Sequence, residues 1–162
     1  LDGVTGVQTC ALPISEVEKT FKSFYSSASK KNIALKNCVA KGVLIVFDNN
    51  LLQLVLRNLI SNGIKYTNSG GWVQVMASET KNSALISVED NGVGIEKELF
   101  DEVLTNIRFS RNGTASEKGS GLGLPLCKEI LEKCGGKIWV ESEIGRGSKF
   151  TFELMTAVSY LI

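Results

Sequence analysis

The sequence predicts a two-layer α/β sandwich, in which helices cover one face of a mixed, mostly antiparallel sheet of about five strands. Short runs rich in β-branched and aromatic residues, long segments with helical periodicity, and glycine-containing turns between them predict this fold. The chain has 162 residues and is 43% hydrophobic, which is enough for one domain with a real core. Lysine and arginine number 18 against 17 acidic residues, so we expect no nucleic-acid-binding surface.

The first 15 residues have neither helical nor strand periodicity. Val4–Ile14 resembles the in-frame translation of a common sequencing-adapter oligonucleotide, and it lacks the basic start of a signal peptide. We therefore expect residues 1–15 to be an artefact or a disordered segment and exclude them from the fold. The domain is expected over residues 16–155, with a tail at 156–162.

The first half of the domain is predicted to contain two helices and two strands. Glu16–Lys30 has an apolar stripe at helical spacing, and strand-like runs follow at Ile33–Val39 and Val43–Phe47. Asp48 is a suitable N-cap for a long helix that runs to Tyr66.

The middle of the domain is predicted to be a strand pair, a short helix and a loop. Trp72–Ser78 and Ala84–Asp90 flank a polar turn, which predicts two neighbouring strands. A short helix is expected at Lys97–Leu104. The polar, glycine-containing stretch Thr105–Ser120 has no periodicity and predicts a mobile loop.

The last part of the domain is predicted to be a helix and two strands. Leu124–Cys134 has helical spacing, and Pro125 is tolerated there because a first-turn residue needs no amide donor. Gly135 and Gly136 end this helix. Ile138–Val140 and Phe150–Leu154 are then read as strands.

Three polar residues of the Asp48–Tyr66 helix lie at the margin of its apolar face. At about 100° per residue, Asn58, Asn62 and Lys65 fall within roughly 60° of one another. Asparagine offers a neutral oxygen to a divalent cation, and lysine offers positive charge to a phosphate. The pattern suits the rim of a polar ligand site, but by itself it fits a solvated helix face equally well.

Asp90 is predicted to share a strand face with core residues. The alternation of the strand places it in line with Ala84, Ile86 and Val88. A buried carboxylate needs a hydrogen-bond donor. The amino group of a purine would serve, and so would a backbone amide of the following turn, which is the simpler partner when this strand is considered alone.

The segment Gly119–Leu124 leads directly into a predicted helix. Glycines there leave backbone amides accessible, and the start of a helix favours anions, so the segment is a candidate phosphate seat. It is not a dinucleotide-binding fingerprint, because a loop rather than a strand precedes it. The chain also contains no histidine, which excludes histidine-based triads and a phosphohistidine within it.

In this order the three segments resemble the motifs of a known family. The chain from Glu16 to Leu154 resembles the catalytic ATP-binding domain of bacterial sensor histidine kinases, within the gyrase, Hsp90 and MutL group of ATPases. Asn58–Tyr66 is similar to the N box of the family, Asp90–Gly94 to its G1 box and Gly119–Gly123 to its G2 box. The resemblance implies the Bergerat ATP-binding fold, with Mg-ATP held between the N-box helix and a flexible lid.

The resemblance also implies roles for individual residues. It assigns Mg²⁺ to Asn62, a phosphate contact to Lys65, the adenine amino group to Asp90, and catalytic positions to Asn58, Asn62 and Lys65. The ATP-binding residues that it implies are Asn58, Asn62, Lys65, Tyr66, Asp90, Gly92, Gly94, Ile95, Arg111, Lys118, Gly119, Gly121, Leu122, Gly123, Leu124 and Ser148.

The sequence departs from the family pattern at two places. Gly63 stands where the family usually has alanine, at a helix cost of about 1 kcal/mol. Phe100–Phe109 is a poor match to the F box, so the resemblance does not identify the aromatic anchor of the lid.

The residue at position 58 favours a kinase over an ATPase. Hydrolysing relatives usually carry glutamate there, whereas asparagine cannot accept a proton from water at neutral pH. We expect transfer of the γ-phosphoryl group to a histidine on a separate dimerisation domain, then to a response regulator. The alternatives are a stand-alone ATPase or serine kinase of the same superfamily and a non-catalytic nucleotide-binding module. We further expect a monomeric, cytoplasmic domain that contacts no membrane.

Overall fold

A computed structural model describes residues 10–11, 13–107 and 109–156 of the chain. Seven strands and four α-helices make up most of these described residues. In chain order the elements are β1 (Cys10–Ala11), α1 (Pro13–Lys30), β2 (Ala34–Asn37), β3 (Ile45–Val46), α2 (Asn49–Tyr66), β4 (Trp72–Glu79), β5 (Ser83–Asp90), a 3-10 turn (Lys97–Leu99), α3 (Phe100–Thr105), α4 (Gly123–Lys133), β6 (Lys137–Glu143) and β7 (Gly147–Met155).

The main sheet has five strands in the order β2-β4-β5-β7-β6. The β2–β4 pair is parallel and the other three pairs are antiparallel. The predicted fold class, a mixed and mostly antiparallel sheet of about five strands, is therefore confirmed. The run Val43–Phe47 lies outside this sheet, since its strand β3 pairs with β1 instead.

Helix α2 forms the centre of the helical layer. It contacts strands β4 and β5 of the sheet and the neighbouring helices α1 and α4, and its buried apolar side chains are Leu52, Val55, Leu56, Leu59, Ile60 and Ile64. Asp48 caps the helix as predicted, because its Oδ1 accepts the amide hydrogens of Asn50 and Leu51 at 2.8 and 3.0 Å. The helix ends at Tyr66, the predicted residue.

Helix α1 begins at Pro13, three residues before the predicted start at Glu16. Proline is well suited to the first helical position because its missing amide would have no partner there. The prediction missed this first turn because residues 1–15 were expected to lie outside the domain. The origin of that segment stays a prediction, and its residues 1–9 and 12 lie outside the described part of the chain.

The end of the domain also differs slightly from the prediction. Strand β7 continues to Met155, and Thr156 forms an isolated antiparallel bridge with Ile45. The first residue of the expected tail is thus attached to the domain, and residues 157–162 lie outside the described part. The described residues between 106 and 122 form no helix or strand, so a loop lies where one was predicted, and its mobility stays a prediction.

Removing the cap of α2 should destabilise the domain without changing the site. Asp48→Ala leaves two amide groups at the start of α2 without their acceptor, so we expect the free energy of unfolding in urea to fall by about 1 kcal/mol. Asn50→Ala, an exposed change two residues later, is the matched control and should stay within about 0.5 kcal/mol of wild type. Equal losses in both variants would contradict the capping role.

Candidate active site

The polar margin of α2 opens into a cavity, as its helical spacing suggests. Asn58, Asn62 and Lys65 are half-buried and all three line this cavity. The Asn58 amide nitrogen donates to the Leu54 carbonyl one turn earlier at 2.9 Å. The margin of the helix is therefore the wall of a cavity and not a solvated face.

Asp90 occupies the end of β5 on the face that carries the core. It is 7% exposed, and its cross-strand neighbours are Val73 on β4 and Ser148 on β7. The predicted alternation is confirmed, since Ile86 and Val88 share its face and are buried. The carboxylate thus lies at the boundary between the core and the cavity.

The carboxylate of Asp90 is only partly compensated by hydrogen bonds. Burial raises its pKa to about 6, although hydrogen bonds from the backbone amides of Gly92 and Ser148 act in the opposite direction. The Gly92 amide donates to Oδ1 at 2.8 Å, so the simpler turn partner is present. A carboxylate can accept about four hydrogen bonds, so a ligand donor would still find an acceptor here.

Ser148 is held beside Asp90 by a second serine. Ser142 Oγ lies 2.8 Å from the Gly147 carbonyl, to which it donates, and it accepts the amide hydrogen of Ile95 at 2.8 Å. Its single hydrogen is then used, so in its 2.8 Å contact with Ser148 Oγ it must be the acceptor. Ser148 therefore offers lone pairs to the cavity, next to those of Asp90.

The opposite wall is formed by the lid, residues 109–122, and by the start of α4. Gly121 has φ +73°, a left-handed conformation that a residue with a side chain rarely adopts. At Gly123 a Cβ would lie 2.7 Å from Asn58 Oδ1, so α4 begins in close contact with α2. Phe109 packs partly against the core and lines the cavity, with the Arg111 guanidinium 5.3 Å from its ring centre.

The three sequence motifs meet around one cavity of about 310 Å³. Of the sixteen residues expected to bind ATP, fourteen line it, and these are Asn58, Asn62, Lys65, Tyr66, Asp90, Gly94, Ile95, Arg111, Lys118, Gly119, Gly121, Gly123, Leu124 and Ser148. Gly92 lies behind the wall and donates to Asp90. Leu122 is 51% exposed and precedes the first turn of α4.

Sequence reasoning missed several residues of the wall. They are Ser61, Val93, Val103, Phe109, Ser110, Asn112, Ser120 and Phe150. Ser61 follows Asn58 by three helical positions, and Val93 lies between two expected glycines, so spacing could have identified both. Phe109 and Asn112 belong to the lid, whose path carries no periodic signal.

A family model supports the interpretation of these motifs. Residues 47–157 match the model described as histidine kinase-, DNA gyrase B- and HSP90-like ATPase, which is more than half of the chain. The chain belongs to this ATPase family. The resemblance inferred from the three motifs is therefore confirmed.

Curated relatives of the chain are sensor kinases. It is 39% identical over 109 residues to the adaptive-response sensory kinase SasA of Synechococcus elongatus, which covers 66% of this chain and 28% of that protein. It is 34% identical over 123 residues to the sensor histidine kinase WalK of Bacillus subtilis, covering 74% and 20%. The chain thus spans about a quarter of the length of these relatives.

Solved structures of similar fold are histidine kinase catalytic domains. The catalytic domain of the histidine kinase ThkA superimposes with a TM-score of 0.80 at 26% identity, over 91% of this chain and 95% of that one. The mycobacterial sensor histidine kinase MprB shares the fold with a TM-score of 0.80, over 93% and 98% of the two chains. Among the described residues of this family member, no helix has the length and apolar character to span a bilayer.

The raised pKa of Asp90 should make the stability of the empty domain depend on pH. Because its pKa is higher in the folded domain than the 3.8 of an unperturbed group, Asp90 favours folding below that value, and this contribution is lost as pH rises through about 6. Relative to Asp90→Asn, wild type should lose about 3 kcal/mol of unfolding free energy between pH 3 and pH 7.

Chemical denaturation across this pH range provides the measurement. Asp101→Asn, at an exposed carboxylate, should run parallel to wild type. If the free energies of unfolding of wild type and Asp90→Asn differ by the same amount at every pH, the burial of an ionisable carboxyl group at position 90 is contradicted.

Proposed function

We propose that this chain is the catalytic domain of a two-component sensor histidine kinase, which binds Mg-ATP and donates the γ-phosphoryl group to a histidine on a dimerisation domain. A response regulator then receives the group from that histidine. The observation that carries the proposal is a cavity with polar groups suited to both ends of ATP but without a suitable base for hydrolysis.

Both ends of the cavity suit ATP. The carboxylate of Asp90 and the hydroxyl of Ser148 are acceptors, which fits the amino group of adenine. The lid and the start of α4 supply glycine backbone and the cation Lys118, and α2 supplies Lys65, which fits a phosphate chain. The size of the cavity, about 310 Å³, is in the range of small-molecule sites.

Magnesium would be held by amide oxygens on α2. Asn62 is half-buried on the cavity wall, and Asn58 lies one turn earlier on the same wall, with its amide nitrogen bonded to the Leu54 carbonyl. Mg²⁺ accepts oxygen ligands and usually retains several waters together with substrate phosphates, so few protein ligands suffice. When bound, the ion neutralises charge that develops on the phosphate oxygens.

The composition of the cavity favours transfer over hydrolysis. Asp90 is the single carboxylate among the described residues that line it, and it is bonded to the Gly92 amide at the end of β5. Asn58, one turn before Asn62 on α2, cannot remove a proton from water. A neutral imidazole nitrogen attacks with a lone pair that it already has, so it needs only positioning and charge neutralisation from this domain.

The acceptor has to be supplied by another domain, because the chain has no histidine. The relatives SasA and WalK are named as sensory kinases and are three to five times longer than the matched segment, which leaves room for such a domain in them. One structure of the same fold holds the kinase ThkA in complex with the response regulator TrrA. These comparisons support a dimerisation domain and a receiver domain as the partners.

Phosphoryl transfer should occur only when an acceptor is supplied. We expect radiolabel from the γ-phosphate to appear on an added dimerisation domain of a similar sensor kinase, and little phosphate release by the domain alone. ATP with magnesium, at 100 times its dissociation constant, should stabilise the wild-type domain by about 2.7 kcal/mol and raise its melting temperature. Asn62→Ala should abolish the dependence of this thermal shift on magnesium. Asn68→Ala, at an exposed asparagine after α2, is the control.

Two outcomes would contradict this function. Brisk phosphate release by the isolated domain, lost in Asn58→Ala, would identify an ATPase. A wild-type domain without a magnesium-dependent shift would indicate a module that keeps the fold but not the chemistry.

Base selection should depend on the carboxylate of Asp90. Asp90→Ala removes the acceptor for an amino group, so the preference for ATP over GTP should fall by about tenfold or more, which corresponds to the loss of one hydrogen bond to a charged group. Competition of the two nucleotides against a fluorescent ATP analogue provides the measurement. An unchanged preference would place the base elsewhere in the cavity.

A further inference from the structure

We propose that Lys31 is a positioning residue for the nucleotide lid, because its ammonium group ties Glu117 of the lid to the carboxyl end of helix α2. The inference rests on the proposed function, since the lid forms one wall of the ATP site. Neither Lys31 nor Glu117 lines the cavity, so the pair acts through the residues that follow it.

The ammonium group of Lys31 uses all three of its hydrogens. It donates to the carbonyls of Ile64 and Lys65 at 2.8 and 2.9 Å, and to Glu117 Oε1 at 2.7 Å. The side chain is only 12% exposed. A positive charge at the carboxyl end of a helix is also favoured by the helix dipole, so Lys31 both caps α2 and holds the lid.

Glu117 organises the turn that it belongs to. Its Oε2 accepts the Ala115 amide hydrogen at 2.8 Å, and its carbonyl accepts that of Gly113 at 2.9 Å. Thr114 extends the same docking, since its amide donates to the Lys65 carbonyl and its hydroxyl to the Thr67 carbonyl, both at 3.0 Å. Residues 113–117 are thus a compact turn seated on the end of α2.

The seated turn determines where the lid enters the site. Lys118 and Gly119 follow Glu117 directly, and both line the cavity. The backbone of Gly119 lies so close to the Lys65 ammonium that a side chain at position 119 would collide with it. The turn therefore places one lid cation and one stretch of lid backbone beside Lys65, at the end of the cavity assigned to phosphates.

Glu117→Gln tests this role with little change in shape. An amide offers one oxygen where two donors point, the Lys31 ammonium and the Ala115 amide, so the turn should loosen. We expect the dissociation constant of Mg-ATP to rise about tenfold and that of adenosine to change by less than about twofold, because the pocket around Asp90 is untouched. Glu98→Gln, at an exposed carboxylate outside the lid, should bind both as wild type does.

A double-mutant cycle tests whether Lys31 and Glu117 act on ATP binding through their contact with each other. Lys31→Met should raise the dissociation constant of Mg-ATP at least as much as Glu117→Gln does. In the double variant, adding Glu117→Gln to Lys31→Met should raise that constant by less than about twofold more. Lys30→Met, at the exposed neighbouring lysine, is the control. If Lys31→Met does not fold, Glu117→Gln carries the test alone.

Hydrogen exchange of the empty domain tests the anchor without nucleotide. In Glu117→Gln the amides of Thr114 and Ala115 should exchange about tenfold faster, while those of α4 stay unchanged. Unchanged exchange in the turn, a rise throughout the domain, or equal losses of ATP and adenosine binding would each overturn the proposal. Failure of wild type to bind Mg-ATP would instead overturn the proposed function, and the exchange data would still judge the anchor.

Discussion

The seating of helix α2 on the sheet is the constraint on which the rest of the site depends. Six apolar side chains of α2 are buried where the helix packs on the sheet and on helices α1 and α4, and this fixes the direction in which its polar margin points. The helix backbone comes close to the sheet at Gly63, where an added Cβ would lie 3.0 Å from both methyl groups of Val73. Val73 is the cross-strand neighbour of Asp90, so this contact lies beside the carboxylate of the site. Glycine costs the helix about 1 kcal/mol at this position, and an alanine Cβ would require the Val73 side chain to move by a few tenths of an ångström.

The features that the sequence predicted are those with local causes. The cap at Asp48, the end of α2 and the place of Asp90 on the core face all follow from spacing within a single element. The contacts that could not be predicted join distant parts of the chain. Lys31 and Glu117 are 86 residues apart, and no periodicity relates them. The lid is irregular backbone, so its aromatic contact through Phe109 became evident only once the chain was folded.

The fold destabilises the charged form of Asp90 at one end of the site and stabilises the lid at the other. Burial holds the pKa of Asp90 near 6, so its charged form opposes folding at neutral pH until a donor reaches it. At the phosphate end of the site, the ammonium group of Lys31 has a hydrogen-bond acceptor for each of its three hydrogens, and it supplies the ion pair that joins the end of α2 to the lid. The two features are complementary, because the remaining acceptor capacity of Asp90 favours the base, and the anchored turn places Lys118 for the phosphates.

Titration of Mg-ATP into the isotopically labelled domain, followed by amide NMR shifts, tests the convergence of the three motifs most directly. If the three motifs form one site, the amide signals of Asn58–Tyr66, Asp90–Gly94 and Gly119–Gly123 should shift together and saturate with one dissociation constant. Shifts confined to one of these segments, or different constants for them, would contradict a single nucleotide site.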